Sequence, residues 1–545
     1  MIREFYRDQT IFLTGVTGFL GKGLAAKILR DLPDIRRLYV LIRPRKKANG
    51  QVSTVAERLE EDFFDNSVFD QLKKSDPQAL ARLRQKVEAV DGDLTASKLG
   101  LDPQIRQRLV EDVDLIINSA ATVDFDGQLD YSVQLNTLGP QRLLDFAREC
   151  QRKVIFLHIS TAYVNGRLEG SIPERPLPLD RTIRQLLDGG TPARPFEPER
   201  EVDECLAFCR RIRQRATEAG QLALFRREIL EQKTSRVPSG KRLDKLVEDR
   251  CRRWIESELV GEGMRRAKAH AWNDVYTFTK AMGEQLLVKE HGSVPLVIVR
   301  PSVIESSLVD PEPGWISGFK VTDPLVVAFG RGLVPDFPGR ADVPMDLVPV
   351  DIVINVVLGA ATQATAAEVR VFQAATSGEN PMLNATMFRY IKEHFLEHPM
   401  LGKDGRAPEL PDWSFPSLNK FRAVFHLKYL YPVEYRQRLF KYLPERWAPA
   451  KKKRMLSAIR TRLKRVLYYT ELFSPYTLLD CRFEFKRSRA LFESLPPEEQ
   501  QVFNMDVQRV DWGHYYKDVH LPGLRRHVLK EESAGDASLM QGTAS

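Results

Sequence analysis

The chain has 545 residues, 43% hydrophobic content and a formal net charge of +9; this length argues against a single domain and predicts two to three. Its apolar content is ordinary for a globular protein, and its five cysteines lack the paired spacing of a disulfide framework or zinc site, so no metal site and a reducing, cytoplasmic setting are expected. The positive charge suits an anionic substrate or surface, and no nucleic-acid-binding motif accompanies it.

Thr10–Thr14 (TIFLT) is β-branched and apolar, as a buried strand is. Gly15, Gly18 and Gly21 follow, and residues 22–30 (KGLAAKILR) have helical periodicity. Strand, glycine turn and helix in that order predict a turn that lets backbone approach a pyrophosphate at a helix N-terminus. Thr14, Gly15, Thr17, Gly18, Phe19, Leu20 and Gly21 are the candidate cofactor contacts there. The first strand begins within about ten residues of Met1, so no signal peptide is expected.

The next strand, residues 38–42 (LYVLI), ends in Arg43-Pro44-Arg45-Lys46-Lys47. An NAD site usually carries an acid here, whereas arginine accommodates a 2′-phosphate. Arg43 and Arg45 therefore predict NADPH, the alternative being a solvated basic loop. Further strands end in Asp93-Leu94, in Asn118-Ser119-Ala120-Ala121, in Ser160-Thr161 and in Arg300-Pro301-Ser302-Val303. Ligands of open α/β sheets sit beyond the carboxyl ends of strands. Asp93, Leu94, Ser119, Ala120, Ala121, Pro301 and Val303 are therefore expected to line the cofactor groove.

Of the 15 tyrosines, only Tyr276 has a lysine, Lys280, four residues later, which on a helix puts both on one face. A tyrosine is a poor acid–base group near neutral pH unless its anion is stabilised, and a nearby ammonium is expected to lower its pKa. Thr161 or Ser160 would hydrogen-bond the same substrate oxygen. The pattern predicts a carbonyl polarised by Tyr276 and Thr161 and attacked by hydride.

Residues 175–270 read as a charged helical insertion, a cap or contact surface. Within it, Cys205 and Cys209 are expected on one helix face. The most apolar run, 345–361, is interrupted by Asp346 and Asp351, and no run reaches the ~20 residues of a spanning helix. Composition shifts after Ala375, with prolines at 408, 411 and 416. Residues 451–472 form a basic amphipathic helix, with Met455, Ile459, Leu463 and Val466 as its apolar stripe. The commoner reading is a core-facing helix with a solvated outer face; the other is peripheral contact with an anionic membrane. The divisions expected are 1–372, 373–531 and a polar tail, 532–545. The fold class is α/β: a Rossmann-type doubly wound parallel sheet with a helical insertion and a mainly helical C-terminal domain.

Seven segments resemble, in order, the fatty acyl-CoA reductases of the extended short-chain dehydrogenase/reductase superfamily. They are residues 14–21, 40–44 (VLIRP), 118–125 (NSAATVDF), 136–140 (NTLGP), 159–164 (ISTAYV), 276–280 (YTFTK) and 299–303 (VRPSV). Residues 509–516 (RVDWGHYY), 521–525 (LPGLR) and 529–531 (LKE) resemble that family's C-terminal ending. The likeness implies NADPH-dependent reduction of a long-chain acyl-CoA, with an acyl carrier protein thioester as the other donor. It implies four-electron reduction through an aldehyde to a primary alcohol, a two-electron, aldehyde-releasing reductase being the alternative. Tyr276 and Lys280 match the family's acid and its helper, Thr161 the Ser/Thr position with Ser160 as alternative, and Gly15, Gly18 and Gly21 the phosphate turn. Asn118 stands where many relatives have His. Rival readings are a sugar-nucleotide epimerase or dehydratase on the same fold, and a nucleotide-sensing scaffold with a vestigial site.

Overall fold

The computed structural model describes residues 1–531 apart from 48–49, 232–238, 334–335, 403, 445–446 and 448. The polar tail expected over 532–545 lies outside the described residues. Seven strands build the main sheet: β1 (Thr10–Thr14), β2 (Arg37–Ile42), β3 (Val87–Asp91), β4 (Leu115–Asn118), β5 (Ile155–Ile159), β6 (Leu296–Pro301) and β7 (Arg370–Ala374). Their spatial order is β7-β6-β5-β4-β1-β2-β3, and every neighbouring pair is parallel. Chain order reverses between β1 and β4, the switch point of a doubly wound sheet. Every residue of β1 is buried, because helices cover both faces of such a sheet and its strands need not alternate. The register pairs Thr14 with Asn118, and Asn118 with His158, so the carboxyl ends of β1, β4 and β5 lie side by side.

Helix α1 (Phe19–Asp31) follows the glycine turn and buries Leu24, Ile28 and Leu29. The 175–270 segment carries α2 (Pro198–Thr217), α3 (Ala219–Glu231) and α4 (Gly240–Ala269). Helix α2 buries Val202, Cys205, Cys209 and Ile212 at helical spacing, so the two cysteines share one face, as expected. These residues join Leu259, Trp272 and Phe278 in a core of their own.

Helix α5 (Val275–Glu290) starts at Asp274, whose carboxylate accepts from Thr277 N in a capping box. Helix α6 (Val350–Ala361) is buried along its whole length. The two aspartates of that apolar run are satisfied by backbone donors. Asp346 accepts from Thr376 N and Ser377 N, and Asp351 from the amides of Leu308, Val309 and Asp310. Among the described residues, no helix is long and apolar enough to cross a membrane.

Strand β7 runs across the 372/373 division, and the chain beyond it packs onto the sheet unit. Cys481–Phe483 pairs in parallel with Gly170–Ile172, and Phe483, Trp512, Tyr515 and Leu524 share a core with β1 and α6. The C-terminal region contains α7 (Tyr431–Tyr442) and α8 (Ala450–Leu478). Here the core-facing reading of residues 451–472 fails. Met455, Ile459 and Val466 are exposed, Leu463 is half-buried, and full burial along α8 is confined to Leu456 and to residues from Thr470 onward. Helix α8 rests on α7, with Arg460 and Lys464 both reaching Glu434, and among the described residues Met455, Ile459 and Val466 stay uncovered.

Candidate active site at the carboxyl ends of the sheet

The turn after β1 is built for backbone crowding. Gly15 has φ +81°, and a Cβ there would lie 2.7 Å from the Ala120 amide nitrogen. A Cβ on Gly21 would fall 2.1 Å from the Gly15 carbonyl oxygen. Gly18 is exposed and caps α1, and its amide donates to Gly15 O at 2.9 Å. Thr17, Phe19 and Leu20 are half-buried around it, and the Phe19 ring lies 5.0 Å from that of Trp315. A helix N-terminus behind a glycine-rich turn of closely packed backbone fits a pyrophosphate.

Beyond β2 and β3 lies a cavity of about 480 Å³ lined by Arg43, Pro44, Arg45, Arg58, Asp91, Gly92, Asp93 and Gly100. Arg43 lies 3.5 Å from Asp93 and donates to the Tyr131 hydroxyl at 3.2 Å. Arg45 pairs with Glu61 and Asp62. Arg58, which the sequence reading missed, donates to the Arg43 carbonyl at 2.6 Å. The only signal for it was another arginine a short way along the chain. Leu94, by contrast, turns its side chain into the core.

A buried polar chain crosses the switch point. Thr14 Oγ1 donates to Asn118 Oδ1 at 2.7 Å and accepts from Ala120 N at 3.2 Å. Asn118 Nδ2 lies 3.1 Å from His158 Nδ1, and Lys280 Nζ lies 3.3 Å from His158 Nε2. Lys280 Nζ also donates to the Ile159 carbonyl at 2.6 Å. Ser119 and Ala121 are half-buried beside this chain. Burial lowers the Lys280 pKa to about 7, with Glu284 opposing. Burial first, then Lys280, holds the His158 pKa well below its ordinary value. His158 alternates with apolar residues in β5, so nothing local in the sequence marks it.

Thr161, two residues beyond β5, sits beside the Tyr276 phenol and donates to the Pro301 carbonyl at 3.4 Å. Ser160 Oγ is buried without a partner among the described residues. Val303 pairs instead with Leu347 in a separate short parallel ladder. Tyr276 and Lys280 share α5, but the expected effect of the ammonium on the phenol is not met. Burial, then Asp274, holds the Tyr276 pKa above its ordinary value, with the neighbouring Thr161 hydroxyl opposing. The reason is orientation: Lys280 turns toward Ile159 and His158.

Aromatic rings wall the phenol. Phe125 stacks on Tyr276 at 5.9 Å and on Tyr476 at 5.3 Å, while Phe473 meets it edge-on at 5.3 Å. Phe473 and Tyr476 both come from α8, and the Tyr476 hydroxyl donates to Asp274. Burial raises the Asp274 pKa to about 6 against its hydrogen bonds. The C-terminal region thus contributes directly to the surroundings of Tyr276.

An NAD-binding family model described as "Male sterility protein" matches residues 13–357, and a second of the same description matches residues 448–531. The chain is 31% identical to "Probable fatty acyl-CoA reductase 5" of Arabidopsis thaliana, over 97% of this chain and 99% of that one. It is 30% identical to "Fatty acyl-CoA reductase 2, chloroplastic" of the same plant, over 97% and 80%. Identity is 28% to the "Alcohol-forming fatty acyl-CoA reductase" of Simmondsia chinensis, over 97% and 99%. In fold it is similar to the terminal R domain from the myxalamid PKS-NRPS biosynthetic pathway, with TM-score 0.54, 15% identity, and 95% and 91% of the two chains covered. With an NAD-binding segment and a C-terminal segment both matched in order, this chain belongs to the fatty acyl-CoA reductases, a family of NAD-binding oxidoreductases.

Proposed function

We propose that the protein reduces a long-chain fatty acyl-CoA to the primary alcohol and free CoA, using NADPH in two rounds. The observation that carries this reading is the Thr161–Tyr276 hydroxyl pair. Tyr276 lies one helical turn from Lys280 and stacks on Phe125, which Phe473 and Tyr476 meet in turn. The three arginines around the cavity beyond β2 support NADPH over NADH.

When bound, NADPH supplies the hydride, which adds to the thioester carbonyl carbon. Thr161 and Tyr276 donate hydrogen bonds to the carbonyl oxygen and stabilise the charge that develops there. The oxyanion then re-forms a C=O bond as the C–S bond breaks, releasing the aldehyde and the CoA thiolate, which takes a proton from solvent. In the second round Tyr276 gives its proton to the aldehyde oxygen as the alcohol forms. Lys280, held on the Ile159 carbonyl and beside His158, ties α5 to the end of β5 and so positions Tyr276, which regains its proton from solvent.

NADPH consumption with palmitoyl-CoA, with products separated by gas chromatography, tests the stoichiometry. Two NADPH per thioester and hexadecanol support it. One NADPH and accumulating hexadecanal replace it with an aldehyde-releasing reductase. The same assay with a palmitoyl acyl carrier protein identifies the donor.

The α7–α8 pair supports peripheral membrane contact of the same enzyme. Tyr435, Tyr442, Trp447, Met455 and Ile459 are exposed on it, next to Lys451, Lys452, Lys453, Arg454, Arg462 and Arg465. Exposed aromatic and apolar side chains beside a basic helix suit an anionic lipid interface. Flotation with anionic but not neutral liposomes is expected; no flotation with either removes this reading.

A further inference from the structure

Three side chains from distant parts of the chain converge where the C-terminal segment meets the sheet unit. Glu305 follows β6, Asp323 opens a helix, and His520 lies in the ending. All three are fully buried. His520 Nε2 lies 3.4 Å from Glu305 Oε2 and 3.3 Å from Asp323 Oδ1. Among the described residues, none of these three atoms has a hydrogen-bond partner, and one ligand atom from each residue lies within 4.8 Å of the others. Two buried carboxylates facing an imidazole call for a compensating cation.

The spacings are longer than the 2.7–2.9 Å or so of a charge-assisted N–H···O bond. They match the edges of a tetrahedron, since bonds of about 2.0–2.1 Å to a central ion place neighbouring ligand atoms about 3.3–3.4 Å apart. The other polar atoms are already held. Thr322 Oγ1 donates to Glu305 Oε1 at 2.6 Å, and Lys320 N donates to Asp323 Oδ2 at 2.6 Å. Tyr515 donates to the Ser306 carbonyl at 2.7 Å, which leaves Ser306 Oγ, 3.0 Å from His520 Nδ1, free to accept. In that tautomer Nε2 keeps its lone pair toward the carboxylates, the arrangement of a metal-bound histidine with a hydrogen-bonded outer nitrogen. Lys320 interacts with both acids through its charge, but its Nζ donates to the Ser317 carbonyl and sits 3.8 Å over the Phe19 ring.

We propose that Glu305, Asp323 and His520 hold a divalent d-block cation, zinc by ligand type and spacing. It acts as a structural clamp joining the C-terminal segment to the sheet unit. Zinc accepts imidazole and carboxylate ligands, and the full burial of all three side chains, between two segments far apart in the chain, assigns the ion a holding role. A water completes the tetrahedron.

The test is elemental analysis of tag-free protein produced in zinc-supplemented medium. About one zinc per chain is expected, with a melting temperature that falls on dialysis against a strong chelator and recovers with zinc alone. Glu305→Gln keeps the side-chain shape and an oxygen for Thr322 and removes one anionic ligand. It is expected to retain less than about a tenth of the metal, by the ligand-charge requirement of such sites. Metal-free wild-type protein whose melting temperature does not respond to added zinc overturns the proposal. So does zinc that Glu305→Gln retains in full. Both readouts are independent of acyl-CoA reduction.

Discussion

Lys280 Nζ lies 3.3 Å from His158 Nε2, deep in the sheet, rather than turned to the phenol four residues before it. With the Lys280 pKa lowered to about 7 by burial, the folded protein binds fewer protons there than the unfolded chain between pH 7 and about 10.4. Stability should therefore rise with pH through that window. Lys280→Met removes this dependence: its melting temperature relative to wild type should be highest near pH 6.5 and fall as pH approaches 10. A difference that stays flat with pH would refute the buried, low-pKa lysine.

Removing the phenol tests the proposed acid. Tyr276→Phe keeps the ring stacked on Phe125 and should lower kcat by about 10²–10⁴-fold, the usual worth of a positioned proton donor. NADPH affinity, measured by fluorescence titration, should stay within about threefold, because the loss falls on the chemical step. Thr161→Ala should cost about 10²–10³-fold, as loss of an oxyanion donor does. Turnover near wild type in either variant would reassign the role, with Ser160 the next candidate.

Tyr476 reaches from α8 to the buried Asp274 that caps α5. Tyr476→Phe leaves that carboxylate short of a donor and should destabilise the protein by about 1–3 kcal/mol. Asp274 has a pKa raised to about 6 in the fold, so the folded state holds its proton more tightly than the unfolded one. Stability from this group is present below about pH 4 and lost as pH rises toward 6. The Tyr476→Phe deficit should therefore be larger at pH 7.5 than at pH 4.5, as read by urea denaturation. Equal deficits at both would mean that the hydroxyl does not stabilise the ionised form.

Arg43 and Arg58 line the same cavity beyond β2. Arg58→Ala should raise KM for NADPH by about 10–100-fold, the equivalent of one charge-assisted contact of about 1.5–3 kcal/mol. KM for NADH should change little. Arg43→Asp should go further and reverse the preference. Parallel loss of both cofactors would place the phosphate elsewhere.

Features encoded by short-range pattern were legible in the chain alone. β1 read correctly from five apolar and β-branched residues, and the turn from glycines that backbone crowding at Gly15 and Gly21 requires. Tyr276 and Lys280 were legible because helical spacing alone puts them on one face. Long-range packing set where those side chains point and what meets them. It turned Lys280 toward His158, set Tyr476 against Asp274, and joined Glu305 and Asp323 to His520. It also left the Met455–Ile459 stripe outside the core. Each of these depends on contacts between segments far apart in the chain, set by sheet register and packing, which no local window of sequence contains.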